Sequence, residues 1–307
     1  MSDNDEIVAR AVATLRGGGV VALPTETVYG LAADLAQPDA IARVYAIKGR
    51  PTEHPLIVHA HALEALEGYA VLTPALRALA AGFWPGPLTA IVARGPRTPL
   101  AVTGGQETVA VRVPAHPLAQ AILRALGTPL AAPSANRFGA VSPTTAAHVR
   151  ADLGAAVDLV VDGGPATVGV ESTIVDLTGA VPAVLRAGAI GPSALGAVLG
   201  VPVVTRLGGP VRAPGTLPSH YAPRALVALV DADAREREAQ RRAANGERVA
   251  LLTLPADAAA AARALYATLR ALDTDGYDTI VATLPPDDEA NAAVRDRLLR
   301  AAAPRGG

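Results

Sequence analysis

The sequence has no cysteine, one methionine, one tryptophan and two phenylalanines among its 307 residues, and aromatics make up only 3%. The missing thiol excludes disulfides, thiolate nucleophiles and cysteine-type zinc sites, and it agrees with a cytoplasmic setting. Few aromatics leave few platforms on which exposed bases could stack. There is no long Lys/Arg run and the net charge is −1, so the broad positive field of proteins that grip nucleic acid is missing. Half the residues are hydrophobic, yet no apolar run approaches the length of a membrane span. The acidic start MSDNDEIVARAVATL lacks the basic segment and apolar stretch of a signal peptide. A soluble, cytoplasmic chain is expected.

The common chemical signatures are absent as well. No GxxxxGK[ST] loop occurs, and the nearest approach to GxGxxG, beginning at Gly17, precedes a strand instead of following one. No GxSxG elbow surrounds Ser134 or Ser172, and there is no HExxH and no acidic calcium loop. His54, His59 and His61 lie close together, but no acidic or cysteine partners complete a metal set, so no metal held by protein side chains is expected.

The chain is long enough for two cores. From Glu6 to Arg16 apolar residues recur at helical spacing, and Gly17-Gly18-Gly19 ends the helix. Val20 to Leu23 reads as a buried strand and Asp39 to Lys48 as a helix that delivers Lys48 to its C-terminal end. Further strands are expected at Leu56–His59, Thr89–Ala93, Thr108–Val113, Leu159–Asp162 and Ser172–Asp176. The irregular spacing implies an α/β fold with a mixed sheet, not a repeating βαβ array. Residues 205–224 are rich in Gly and Pro and read as a linker, leaving domains at 1–204 and 225–307. The second carries strands at Ala225–Val230, Arg248–Leu252 and Tyr277–Ala282. These alternate with helices at Ala234–Ala244, Asp257–Leu272 and Asp288–Ala302.

Polar chemistry collects in loops: PTETVYG (24–30), KGRPTEHPLIVH (48–59), TVAVRVP (108–114), PSAN (133–136), VSPT (141–144) and VEST (170–173). Lys48 and Arg50 place a point charge and a planar fork two residues apart, a pairing suited to a polyphosphate. A solvated helix end would account for them equally. Arg112 lies in an apolar strand, where a charge requires an anion, either a structural carboxylate or a substrate's. Thr27, Ser134, Asn136, Ser142 and Ser172 taken singly are more often caps or turn residues than ligands. His59, closing an apolar strand, is equally explained as a buried, hydrogen-bonded residue.

In this order, K-x-R followed by S-x-N between PTETVYGL and ESTIVD, the segments resemble the YrdC-like domain of the threonylcarbamoyl-AMP synthases over Val8 to Arg186. PSHYAP (218–223) and the region beyond are similar to the two-domain branch of that family. The resemblance implies a twisted, mostly mixed YrdC-like sheet with helices, a linker, and a small Rossmann-like βα domain. It implies that Lys48, Arg50, Ser134 and Asn136 form the nucleotide-binding tetrad, Lys48 and Arg50 acting in catalysis, with His54, Thr108, Ser142, Arg186 and Tyr221 as further ATP contacts. It sets Thr27, His59, Arg112, Ala132 and Ser172 around L-threonine. Two departures stand out: His54 replaces a frequent Asn, and the linker reads GTLPSHYAP where some members have a Lys and an extra Tyr.

The implied reaction joins L-threonine, bicarbonate and ATP into threonylcarbamoyl-AMP and pyrophosphate, with Mg2+ accompanying ATP. The product is destined for the machinery that transfers threonylcarbamoyl to tRNA, and no stable tRNA contact by this chain is expected. Such chemistry requires positioning and charge neutralisation without a nucleophile–base pair. The linker is expected to fold over the pocket and bring Tyr221 to the nucleotide. Two other readings compete. YrdC-like domains also occur in carbamoyltransferases of hydrogenase maturation, whose zinc-finger-like modules need cysteines that this chain lacks. A non-catalytic double-stranded RNA module would show tight, salt-dependent RNA binding without ATP.

Overall fold

The computed structural model describes residues 3–206, 213–215 and 220–304. Of the expected linker, 207–212 and 216–219 lie outside the described residues, Pro218 of PSHYAP among them.

Helix α1 (Asp3–Arg16) has Asp3, Asp5 and Glu6 in its first turn, where the helix dipole favours acid, and buries Ala11, Val12 and Leu15. Strands β1 (Val21–Leu23) and β2 (Gly30–Asp34) then pair antiparallel, Leu23 opposite Gly30, so the PTETVY loop hangs from two joined strand ends. Helix α2 (Pro38–Lys48) starts on Pro38, whose missing N–H is not needed there. It stops at Gly49 in the left-handed region, φ 62°. The Gly49 and Arg50 N–H groups cap the carbonyls of Ala46 and Tyr45, so the chain reverses while Lys48 and Arg50 both stay buried. A Cβ at Gly49 would meet no atom within 4 Å. Gly49→Ala should therefore act through backbone strain alone, lowering stability by about 1–2 kcal/mol in urea unfolding. An unchanged midpoint would show that this turn has no left-handed requirement.

The first domain continues through β3 (Ile57–His59), α3 (Pro74–Phe83), β4 (Leu88–Ala93), α4 (Leu100–Thr103) and β5 (Thr108–Arg112). It goes on to α5 (Pro117–Leu126), β6 (Leu130–Ala131), α6 (Ala146–Leu153) and β7 (Leu159–Val160), then β8 (Thr173–Asp176), β9 (Ala183–Arg186), α7 (Pro192–Leu199) and β10 (Val204–Thr205). Among the described residues its sheet has the order β10-β9-β8-β4-β5-β3-β6-β2-β1-β7. Pairs β3/β5, β4/β8, β1/β7 and β9/β10 are parallel and the others antiparallel, the mixed sheet that the irregular spacing implies. Strand β2 is buried throughout and takes apolar or small residues up to Asp34, whose buried carboxylate accepts from Thr128 and the Ala36 N–H.

The second sheet is wholly parallel, β11 (Leu226–Leu229), β13 (Thr279–Ala282) and β12 (Val249–Leu251) in that spatial order. With α8 (Arg235–Ala244), α9 (Ala258–Thr274) and α10 (Ala292–Ala302) it forms the small Rossmann-like βα unit. The last helix starts at Ala292, four residues later than the sequence pattern suggests, because Asp288 is used in a turn that accepts from the Asn291 backbone and side chain.

The two units share an interior. One apolar cluster joins Leu265, Leu269, Val294 and Leu298 of the C-terminal unit to Val28, Val141 and Val170 of the first domain and to Tyr221. Burial of that continuous surface holds the units together more firmly than a flexible tether would.

Candidate active site

A cavity opens where several strand ends and loops converge. In the β3/β5 register His59 pairs with Arg112, so these two side chains end neighbouring strands. Ser172 immediately precedes β8, Arg186 closes β9, and Gly30 bridges to Ser134 of the PSAN loop. Of the residues singled out from the sequence, Thr27, Arg50, His59, Arg112, Ala132, Ser134, Ser172, Arg186 and Tyr221 line the cavity.

One corner is organised by Arg112, whose side chain is almost fully buried. Its Nη2 donates to Glu26 Oε1 at 2.6 Å, Nη1 to Thr27 Oγ1 at 2.9 Å, and Nε to the Gly86 carbonyl at 3.2 Å. The strand-bound arginine thus has a resident carboxylate. A guanidinium has five N–H groups, so two remain for another acceptor. Burial alone would raise the Glu26 pKa, but the Arg112 charge and hydrogen bond, with the Ala115 N–H, hold it below the usual value. Thr25 gives its proton to the Val28 carbonyl, so Thr27 donates to Thr25 and accepts from Arg112. His59 Nδ1 lies 3.2 Å from the Ile57 carbonyl and must carry the proton there, leaving Nε2 an acceptor. Burial and then the Arg112 charge press its pKa down to about 3, so the ring is neutral.

The other corner is cationic. Lys48 Nζ donates to the carbonyls of Ser134 at 2.5 Å and Asn136 at 2.6 Å, keeping one N–H in reserve. Burial, then the nearby Arg50 charge, set its pKa well below the ordinary lysine value. Arg50 donates to the carbonyls of His54 and Pro55 and packs over the Phe138 ring, 5.5 Å from its centre, and burial lowers its pKa to about 10. Arg186 ties the Ser172 carbonyl and hydroxyl to the Pro214 carbonyl. Among the described residues, none of these three cations has an ion-pair partner. The solvated helix end considered for Lys48 and Arg50 is excluded, since both are buried. Cations this deep are also out of reach of a duplex backbone.

The remaining sequence-derived residues sit off the cavity wall. Lys48 and Asn136 lie behind Ser134; Asn136 Nδ2 donates to the Arg137 and Ala140 carbonyls, and Oδ1 is a buried acceptor with no partner among the described residues. Ser142 is buried and donates to Glu171. His54, half-buried, has its ring 5.5 Å from that of Phe138. Thr108 opens β5, two residues before Ala110 pairs with Ile57, and so lies beside the chain entering β3, away from the cavity itself. From the linker, Pro214, Gly215, His220 and Tyr221 line the cavity, and Tyr221 has a positive φ of 60°.

Sequence reasoning missed Glu26, Glu171 and His220. Glu171 accepts from Ser142 Oγ at 2.5 Å, Tyr266 Oη at 2.8 Å and Arg297 Nε at 2.8 Å. Burial would raise its pKa, but the charges of Arg297 and Arg186 and these bonds bring it to about 2. Both carboxylates stand inside quoted motifs, ETVY and VEST. A glutamate with no other charge nearby in an apolar and hydroxyl-rich segment was the available signal. His220 is neutral: its Nδ1 accepts from the Tyr221 N–H, and burial lowers its pKa to about 3.

These features describe an α/β protein of two joined units, its cavity divided between a cationic corner and a hydroxyl-rich one. Residues 13–188 match the Sua5/YciO/YrdC family model, described as telomere recombination, and residues 190–303 match the threonylcarbamoyl-AMP synthase C-terminal domain. Threonylcarbamoyl-AMP synthase of Bacillus subtilis (strain 168) is 39% identical, covering 99% of this chain and 95% of its own length. That of Pyrococcus abyssi is 37% identical, with 95% and 92% covered. The crystal structure of P. abyssi Sua5 complexed with L-threonine superposes with a TM-score of 0.92 at 35% identity, covering 98% of this chain and 95% of that one. This chain belongs to the threonylcarbamoyl-AMP synthase family. No helix among the described residues is long and apolar enough to cross a membrane.

Proposed function

We propose that this protein makes threonylcarbamoyl-AMP and pyrophosphate from L-threonine, bicarbonate and ATP. One observation carries the reading: Arg50 and Arg186 line the cavity and Lys48 lies behind Ser134, all three buried and, among the described residues, without an ion-pair partner. Buried cations in that state call for a polyanion. The adjoining corner suits an amino acid, with two Arg112 N–H groups for a carboxylate and the Thr27 hydroxyl and His59 Nε2 as acceptors for its donors.

In the proposed reaction the threonine amine forms an N–C bond to CO2 derived from bicarbonate. The resulting carbamate oxygen attacks the α-phosphorus of ATP, and the bond to the β-phosphate oxygen breaks to release pyrophosphate. Lys48 and Arg50 neutralise the triphosphate as charge shifts to the leaving group, and Arg186 and Tyr221 border it. Ser134 and Asn136 anchor Lys48 through their carbonyls. Ala132 and Ser172 border the threonine. His54, Thr108 and Ser142 act at the periphery, through the Arg50 loop, the chain entering β3 and Glu171 respectively. Catalysis of this kind rests on alignment and electrostatics, without a covalent enzyme intermediate.

Glu26 and Glu171 are both bound to arginine, and no cluster of metal-ligating side chains occurs among the described residues. A cage supplied by the protein therefore does not fit, and Mg2+ is proposed to enter on ATP, held by phosphate oxygens and water. The product is proposed to pass in the cytoplasm to the transferase machinery that modifies tRNA. Pyrophosphate release, measured with threonine, bicarbonate and ATP omitted in turn, tests the reading. Release is expected only with all three, and release that ignores threonine or bicarbonate would overturn it.

A further inference from the structure

We propose that the C-terminal unit is part of the nucleotide half of the active site, with Arg297 and Arg270 as its positioning residues. The inference rests on the ATP reading of the cationic corner. Arg297, on α10, has no exposed side-chain surface. Its Nε donates to Glu171, which lines the cavity, while its guanidinium lies over the Tyr221 ring, 4.9 Å from the centre. Tyr266 of α9 donates to the same Glu171 oxygen and sets its ring 5.8 Å from that of Tyr221. Tyr221 has a positive φ, which a non-glycine residue keeps only when its surroundings hold it. Those surroundings include Arg297 and Tyr266 of the C-terminal unit.

Arg270 acts on the neighbouring loop. It donates to the carbonyls of Val141 and Ser142 and is fixed by both oxygens of Asp152. The Ser142 hydroxyl in turn donates to Glu171, so Arg270 and Arg297 grip one loop–carboxylate assembly from two helices. The threonine corner depends on the C-terminal unit less: Glu26, Thr27, His59 and Arg112 are bound to one another or to residues of the first domain, and Ser172 adjoins the assembly only as the neighbour of Glu171. The two substrates should therefore respond differently to changes in the C-terminal unit.

Arg297→Met is expected to raise the KM for ATP by roughly tenfold, within the usual range for coupling between sites. Threonine binding, measured by calorimetry without ATP, should be unchanged, and Arg297→Lys should recover part of the loss. Unaltered KM values, with only melting temperature or active fraction reduced, would make Arg297 merely structural and overturn the proposal. If Arg297→Met fails to fold, Tyr266→Phe removes a single donor to Glu171 and carries the same expectation; an unchanged ATP KM there is equally fatal. Ser193→Ala, which loses a contact to Glu289 elsewhere on the interface, should leave both KM values alone. An equal rise in that variant would also overturn the assignment. Failure of the unaltered protein to release pyrophosphate from ATP would count against the functional reading instead.

Discussion

Lys48→Ala is expected to suppress pyrophosphate release by about 10³-fold or more, the scale on which removing a preorganised cation or donor from a phosphoryl-transfer site acts. L-Threonine should still bind, because nothing in the Arg112 corner is bonded to Lys48. Two of the three ammonium protons are spent on the Ser134 and Asn136 carbonyls, which leaves the third, and among the described residues no carboxylate is bonded to the ammonium. Arginine could not substitute, since its planar fork does not fit between two carbonyls that hold a compact ammonium. The loss should be functional and not a failure to fold. Burial holds the Lys48 pKa below its ordinary 10.5, so the charged form costs the folded protein stability at pH values below that, and the cost fades as pH rises toward it. Lys48→Met, which keeps most of the chain volume, should therefore hold its melting temperature while losing turnover. Turnover that survives either substitution would remove Lys48 from the site.

The same lysine shows where sequence reading succeeds and stops. Helical spacing from Ile41 to Tyr45 places α2 and ends it at Lys48, but whether that end is wet or buried depends on Gly49, Phe138 and the PSAN loop, which are distant or locally ambiguous. Strand β2 was missed because Gly30-Leu-Ala-Ala-Asp34 has no β-branched residue; its place at the middle of the sheet, not its propensity, makes it a strand. β6 is two residues long and gives no period to detect. Ordered motifs identified most of the cavity wall, yet they named cations and hydroxyls without their counterions. Glu26 and Glu171 become recognisable only when folding brings them to Arg112 and Arg297, in the latter case across 126 residues. Arg112 is the instructive case: elementary electrostatics demanded an anion, and the fold provides Glu26 while leaving N–H groups for a second one.

Arg112→Ala is accordingly expected to abolish threonine binding and to destabilise the protein by about 3–5 kcal/mol, the effect of leaving a buried charge without its partner. Glu26 would keep backbone N–H donors but lose its cation, and Thr27 and the Gly86 carbonyl would lose their donor. The pH dependence separates this cause from simple loss of packing. In the unaltered protein the Glu26 pKa lies below 4.5, so its contribution is present above that pH and disappears as pH falls through the folded value. Without Arg112, burial is the dominant influence and the folded pKa moves above the unfolded one. The variant then favours protonated Glu26, and its stability should decline as pH rises through the new value. Denaturant unfolding between pH 4 and 8 should thus show a nearly constant, stabilising contribution from Glu26 in the unaltered protein and one that falls with pH in the variant. Adding Glu26→Gln to the variant removes the stranded charge, so most of the stability should return while calorimetry still detects no threonine binding. Parallel pH profiles, or threonine affinity restored in the double variant, would refute this account of the corner.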